Sequence, residues 1–254
     1  MQVSKYDASG NDFLIFHTFI KKDRSFLAKK LCDRKRGIGA DGMIVLVPHN
    51  EYDYEWQFYN SDGSEAEMCG NGSRAAAHYA VSNSLAPSSH SFLTIAGVID
   101  AKVDGDLVEI KLTSPKILKE PFLEEGLLWH FYDTGVPHLV TYTDNLEKFD
   151  KELCKKMREK YNANVNFAKI ENGKLFVRTF ERGVEDETLA CGTGMAASFY
   201  GAFREGKVSD KVKVYPKSKE ELGLSFKKDF IFFEGKVTNT FNTIIRLDNE
   251  FNAS

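Results

Sequence analysis

A Cys-Gly-(Asn/Thr)-Gly element occurs twice in this chain, as Cys69-Gly70-Asn71-Gly72 and as Cys191-Gly192-Thr193-Gly194. Each copy runs into small residues, Ser73-Arg74-Ala75-Ala76-Ala77 after the first and Met195-Ala196-Ala197-Ser198 after the second. The copies lie nearly half a chain apart in a protein of 254 residues. Chance could produce one such run, whereas two at that separation point to a duplicated unit. The length suits one large domain or two smaller ones, and either can bury a core without metals or disulfides.

The coarse pattern is that of sheet-rich domains. Gly42–Val47 reads as a buried strand, and Tyr54, Trp56 and Phe58 alternate with polar residues at the period of a half-buried one. Residues 92–95, 98–103 and 107–112 read as further strands, the last two joined at Asp104-Gly105. Ser114-Pro115 and Pro121 mark a boundary. The second half repeats the style over 138–142, 165–170, 174–180, 212–215, 222–226, 230–233 and 240–247. Helices are predicted over 24–33 and over 150–161, with Asp150 as a cap, and after each cysteine element, over 73–81 and 194–204. Alanine at the start of these last two would let a sheet close around each. The expected fold class is α+β (mixed α/β): two pseudo-symmetric domains, each a mostly antiparallel sheet around a central helix, with the active site in the cleft between them.

A cysteine just ahead of a helix, followed by two glycines, faces several backbone N–H groups directed at one point. A thiol there should ionise more readily, and the same N–H groups can hold a substrate carboxylate. If the halves face each other, one thiol stands on each side of a small ligand. Two bases on opposite faces of one carbon are what a racemase or epimerase requires: a thiolate removes the α-proton and the opposite thiol delivers one. The chain shows no metal-ligand spacing, no dinucleotide loop and no recognisable pyridoxal-phosphate lysine, so no metal and no cofactor is expected. Backbone N–H groups and solvent exclusion would then stabilise the carbanion. Cys32 and Cys154 sit beside leucines on helix faces without glycine context and read as structural.

With these residues in view, the chain resembles the diaminopimelate epimerase family. The matching pieces, in order, are Ser9-Gly10-Asn11-Asp12-Phe13, Gly37-Ile38-Gly39-Ala40-Asp41-Gly42, Phe58-Tyr59-Asn60-Ser61-Asp62-Gly63-Ser64 and Met68-Cys69-Gly70-Asn71-Gly72-Ser73-Arg74. Pro137-His138, Asn164-Val165-Asn166-Phe167, Glu181-Arg182-Gly183 and Ala190-Cys191-Gly192-Thr193-Gly194 follow. The resemblance implies a cofactor-independent enzyme interconverting LL- and meso-diaminopimelate, serving lysine and peptidoglycan precursor synthesis, and acting as a homodimer. It implies domains over 1–115 and 116–240, the first completed by a returning strand at about 241–254. It assigns Cys69 and Cys191 as the acid/base thiols and His138 and Glu181 as supporting groups. Asn11, Asn60, Gly70, Asn71, Asn164, Glu181, Arg182, Gly192 and Thr193 match substrate-binding positions. Arg182 could grip a distal carboxylate with two donors.

Three departures stand out. Gly42 and Val136 occupy positions where the family often has glutamine and asparagine, and the 183–188 segment is one residue longer than in many relatives. A racemase of another amino acid would keep the thiols and change these contacts. An isomerase of the same architecture using carboxylates, or a non-enzymatic binding or redox-responsive protein, are the readings from other classes.

Composition narrows the partners. Hydrophobic residues at 42% and charged residues at 28% exclude a disordered chain. A formal charge of −3 gives no electrostatic reason to expect nucleic acid. The opening MQVSKYDASGNDF does not read as a signal peptide, and no run approaches the roughly 20 apolar residues of a membrane span. Four cysteines in a chain this long are not a disulfide scaffold, which makes the cytoplasm the expected compartment.

Overall fold

A computed structural model describes residues 1–246. It divides into two compact units, one formed by 1–110 with the chain's return from 235 onward, the other by 111–234. Both divisions fall ahead of 115/116 and 240/241. Leu112 already bonds through its N–H to the Ile231 carbonyl of the second unit, and Val237 to the Asp106 carbonyl of the first.

In the first unit, β1 (Gln2–Ala8) pairs antiparallel with β2 (Asn11–His17). Helix α1 (Ser25–Cys32) crosses over to β3 (Gly42–Val47), which runs parallel to β2. Then β4 (Tyr54–Asn60) turns back antiparallel, and helix α2 (Gly70–Ser82) leads to β5 (Ser89–Thr94), parallel to β4. The antiparallel strands β6 (Gly97–Asp104) and β7 (Leu107–Lys111) follow. Burial explains the patterns. β3 is buried at every position and reads as a continuous apolar run, while β6 has one wet face and alternates. Met43, Val45 and Val47 pack with Leu14, Phe16 and the α1 residues Ala28, Leu31 and Cys32. The opposite face meets α2, where Gly72 lies against Ile44 and Phe13. A helix contacting β1, β2, β3 and β6 has little solvent face, so alanines at 75–77 are fully buried.

The second unit repeats this order of connections. After β8 (Lys116–Glu124), β9 (Leu127–Asp133) pairs antiparallel with β10 (Pro137–Tyr142). Helix α3 (Lys151–Tyr161) crosses to the parallel β11 (Asn164–Glu171), and β12 (Lys174–Glu181) returns antiparallel. A short β13 (Asp186–Thr188) precedes helix α4 (Gly192–Arg204), which leads to β14 (Lys211–Tyr215), parallel to β12. The antiparallel β15 (Leu222–Lys227) and β16 (Phe230–Lys236) follow. Asp150 caps α3, accepting from the N–H groups of Glu152 and Leu153. The α3 residues Cys154 and Met157 pack on Trp129, Leu139, Val165 and Phe167, and α4 is enclosed by β9, β10, β11, β12 and β15.

Finally β17 (Thr238–Ile244) returns to pair antiparallel with β1. The expected returning strand at 241–254 begins within β17, and its residues 247–254 lie outside those described. Strands β1, β2, β8, β9 and the short β13 are not expected from the pattern. β2 hides behind turn-forming residues, Ser9-Gly10-Asn11-Asp12, and β8 is exposed on both faces and so carries no apolar period. The result is a mixed α/β protein with extensive sheet and, among the described residues, four α-helices. None is long and apolar enough to cross a membrane.

Candidate active site

Both glycine-flanked cysteines are helix N-caps. The expected starts of α2 and α4 at 73 and 194 move back to Gly70 and Gly192, because the glycines themselves are helical. Cys69 is extended at φ −148°, and its Sγ accepts from the Gly72 N–H at 3.4 Å. Sulfur thus occupies the place of an N-cap oxygen, facing the positive end of the helix. Cys191 is likewise extended at φ −122°, and its Sγ lies 3.6 Å from Thr193 Oγ1. Thr193 is anchored in turn, its carbonyl accepting from Thr134 Oγ1 at 2.8 Å. Burial pushes the other two thiols, Cys32 and Cys154, up to about 12. That matches their expected structural role and makes them poor proton carriers near neutrality.

In the first unit Asn11 and Asn71 are joined in one directed network. Arg74, fully buried on α2, donates from Nη2 to Ser9 Oγ and to Asn71 Oδ1, each at 2.7 Å. Asn71 Nδ2 donates to Asn11 Oδ1 at 2.6 Å, and Asn11 Nδ2 to Asp41 Oδ2 at 3.1 Å. A guanidinium can only donate, so it turns the Asn71 oxygen toward itself, and each amide downstream is oriented in sequence. At the far end Arg34 bridges Asp41 and Asp12. Burial works to raise the Asp12 carboxyl, but Arg34 and Lys5 outweigh it and hold the group well below the usual carboxylate range. Asn60 stands apart from this network, its Nδ2 donating to Ser64 Oγ at 3.0 Å within its own turn.

Gly42 faces Asn60 across the β3–β4 ladder. A Cβ there would come within 2.6 Å of the Phe58 ring and 2.8 Å of the Tyr59 carbonyl oxygen. The glutamine that the family resemblance leads one to expect there therefore cannot enter without moving Phe58 and the β4 backbone. The absence of a side chain at Gly42 is built into the packing of this chain.

In the second unit His138, Asn164 and Arg182 come together with two residues the sequence had offered only as part of a motif or not at all, Asn166 and Thr179. The register makes this possible: His138 pairs with Asn164 across β10–β11, and Asn166 with Thr179 across β11–β12. Asn164 Oδ1 accepts from the Arg182 N–H at 2.7 Å, and Arg182 Nη1 donates to the Asn162 carbonyl at 2.9 Å. Burial, with the Arg182 charge second, pushes His138 down to about 3, so the ring is neutral at ordinary pH. Burial also raises the Glu181 carboxyl. Period-two alternation from Asn164 to Asn166 was the signal that both amides share a face. The Arg74 network had no local signal beyond its place in the cysteine motif. The segment 183–188, expected to be one residue longer than in many relatives, opens in a tight turn, with the Glu185 N–H donating to the Glu181 carbonyl at 2.8 Å. Val136 brings no polar side-chain atom. Among the described residues no group of His, Cys, Asp and Glu is placed to hold a metal ion.

The packing around Gly194 and His138 can be tested directly. Gly194→Ala would drive a methyl into Asn166 Oδ1 and to 3.0 Å from Thr179 Oγ1. A loss of about 1–3 kcal/mol in urea unfolding is expected, and an unchanged midpoint would contradict the packing. For His138, the pKa is about 3 in the folded state against an ordinary 6.5. The unfolded chain therefore takes up that proton first on acidification. Stability from this ring is present above about pH 6.5 and is lost as the pH falls toward 3. Urea midpoints followed across that window should decline, and His138→Gln should flatten part of the decline.

This arrangement of strands and enclosed helices is shared with solved isomerases. A hydroxyproline epimerase from Agrobacterium vitis superposes with a TM-score of 0.73, covering 96% of this chain and 91% of its own. At 12% identity that likeness is one of fold. Sequence goes further. The diaminopimelate epimerase family profile matches residues 3–118 and 130–238. A diaminopimelate epimerase from a Nitratiruptor species is 62% identical over 96% of this chain and 98% of its own length. One from Campylobacter jejuni subsp. jejuni is 59% identical over 95% and 97%. The chain belongs to the diaminopimelate epimerase family.

Proposed function

We propose that this protein interconverts LL- and meso-diaminopimelate by proton transfer at the α-carbon, with Cys69 and Cys191 as the two bases and no cofactor. The observation that carries the reading is that, in a member of this family, both cysteines cap the enclosed helix of their own unit. One sulfur, as thiolate, removes the α-hydrogen as a proton and becomes a thiol. The electron pair left on carbon is shared with the adjoining carboxylate, which the N–H groups of Gly70, Asn71, Gly192 and Thr193 receive. The other thiol then gives its proton to the opposite face and becomes the thiolate, so the pair exchanges roles with each turnover. Helix N-termini favour the anionic sulfur and the charge developing on the carboxylate.

The recurring order of connections supports two pseudo-symmetric domains, one over 1–110 with the return from 235 and one over 111–234, and the substrate is placed in a cleft between them. Asn11, Asn60, Asn164, Glu181 and Arg182 bind it there. Arg182, fixed at the Asn162 carbonyl, takes the distal carboxylate, and Glu181 and the asparagines the distal ammonium. His138 supports the second thiol as a neutral ring. The enzyme works as a homodimer in the cytoplasm, without nucleic-acid or membrane partners. Incubation of the reduced protein in deuterated buffer with each isomer tests the reaction, with other amino acids screened beside them. Deuterium at the α-carbon and interconversion of isomers are expected. Their absence with diaminopimelate, or faster exchange on another amino acid, would reject the assignment.

A further inference from the structure

The imidazole of His138, itself fully buried, lies between two amide groups. Asn166 Nδ2 is 3.1 Å from its Nδ1, and Asn164 Nδ2 is 3.4 Å from its Nε2. Neither amide can turn over without loss. Asn164 Oδ1 accepts from a backbone N–H, that of Arg182, which leaves its Nδ2 toward the ring. Asn166 Nδ2 donates to the Leu139 carbonyl at 2.8 Å, while its Oδ1 accepts from Thr179 Oγ1 at 2.9 Å, so its Nδ2 faces the ring as well. A neutral imidazole accepts at one nitrogen only. The 3.1 Å contact is a hydrogen bond and the 3.4 Å contact is too long for a good one. Nδ1 is therefore the acceptor and the ring proton falls on Nε2, where the 3.4 Å approach of Asn164 Nδ2 is donor against donor and not a hydrogen bond.

Asn166 also reaches the helix. Its Oδ1 sits where any side chain on Gly194 would have to go, so the amide packs directly on the first turn of α4. One fully buried side chain thus touches β10, β12 and the helix that Cys191 caps.

We propose that Asn166 is a positioning residue for the proton transfer at Cys191: it holds His138 as the Nε2–H tautomer and sets the first turn of the Cys191-capped helix. This rests on the reading of Cys191 as one of the two bases. The hydrogen bond made by one ring nitrogen decides where the other carries its proton. A helix start displaced by about 1 Å would misplace the thiol enough to cost about 100-fold in rate.

The decisive measurement is the 15N spectrum of histidine-labelled protein, with the His138 signals assigned by His138→Gln. In the wild type Nδ1 is expected to be unprotonated and Nε2 protonated near neutral pH. A protonated Nδ1 would overturn the proposal. Asn166→Asp presents an acceptor to Nδ1 and should shift the ring proton there. It should lower kcat by about 100-fold with little change in KM, and move the acidic limb of the kcat profile upward. Wild-type turnover with an unmoved profile would overturn the proposal. Thr179→Val approaches the same amide from its other side and guards against a misfolded aspartate variant: the His138 nitrogen shifts should move, and unmoved shifts would count against Asn166 as the controlling group. The spectra are read without substrate and wild-type turnover is measured beside them. A failed epimerase assignment would then appear as an inactive wild type, separately from the tautomer.

Discussion

Exchanging either Cys69 or Cys191 for alanine is expected to lower kcat for isomer interconversion by about 10²–10⁴-fold, the usual weight of one acid/base group. On the proposed reading each thiol is the acid/base group that its unit's glycine-flanked helix start presents, and the remaining cysteines are no substitutes. Cys32 and Cys154 lie buried in the α1 and α3 packing, and burial pushes both up to about 12. The two single variants should also fail differently. With one thiolate left, a proton can still be removed from the face it serves, so slow α-hydrogen exchange is expected from one isomer and not from the other. Inversion needs both sulfurs and should be lost in both directions. Following deuterium incorporation from each pure isomer, beside chiral analysis of the product, separates the two effects. Full interconversion by either variant would reject the two-base mechanism, and exchange lost equally from both isomers would argue against a one-face role for each sulfur. Both positions are helix N-caps, so a loss of at most about 0.5–2 kcal/mol in stability should accompany these variants, a few degrees in Tm and small beside the loss in rate.

Arg74→Met is expected to cost about 3–5 kcal/mol of stability, because buried acceptors left without their donor cost about 1–3 kcal/mol each. For a protein of this size that is a fall of roughly 10 °C in Tm. Methionine fills similar space, which isolates the loss of the charge and its donors. Three acceptors depend on the guanidinium: Ser9 Oγ, Asn71 Oδ1 and the Lys236 carbonyl. Asp7 feels it as well. Burial raises that carboxyl, and the Arg74 charge opposes the rise. Removing Arg74 should push Asp7 further toward its protonated form and leave the Asn71 and Asn11 amides held only from the Asp41 end. A larger effect on kcat/KM than on bulk folding is therefore expected at temperatures where the variant remains folded. Calorimetry with kinetics well below the transition would test both parts. A Tm within about 2 °C of the wild type, less than the shift for a single kcal/mol, would show that the guanidinium carries little of the packing.

Much of the fold is legible in local sequence. Strand β3 stands out because a strand buried on both faces must be apolar at every position, and α3 because Asp150 announces its start and its apolar residues recur at helical spacing. β8 is not legible, since a strand with both faces wet has no period to detect. β1 and β2 escape notice because the Ser9-Gly10 connection between them dominates the local pattern. The same division runs through the site. Asn60 looks like a turn residue and does bond within its turn. Asn164 and Asn166 can be put on one face by counting, but nothing in the count says that Thr179 and His138 lie across from them.

The sequence alone determined the two cysteine-capped helices and hence the chemistry proposed for them. A cap, two glycines and a run of alanines act over a single turn of chain, where neighbours in sequence are neighbours in space. Only the tertiary structure decided that Arg74 is buried, that Phe58 fills the space beside Gly42, and that Asn166 lies 3.1 Å from the ring of His138. Each of these depends on strand register joining residues far apart along the chain. A hydrogen bond or a steric limit of that kind exists only once the sheet has brought both partners together.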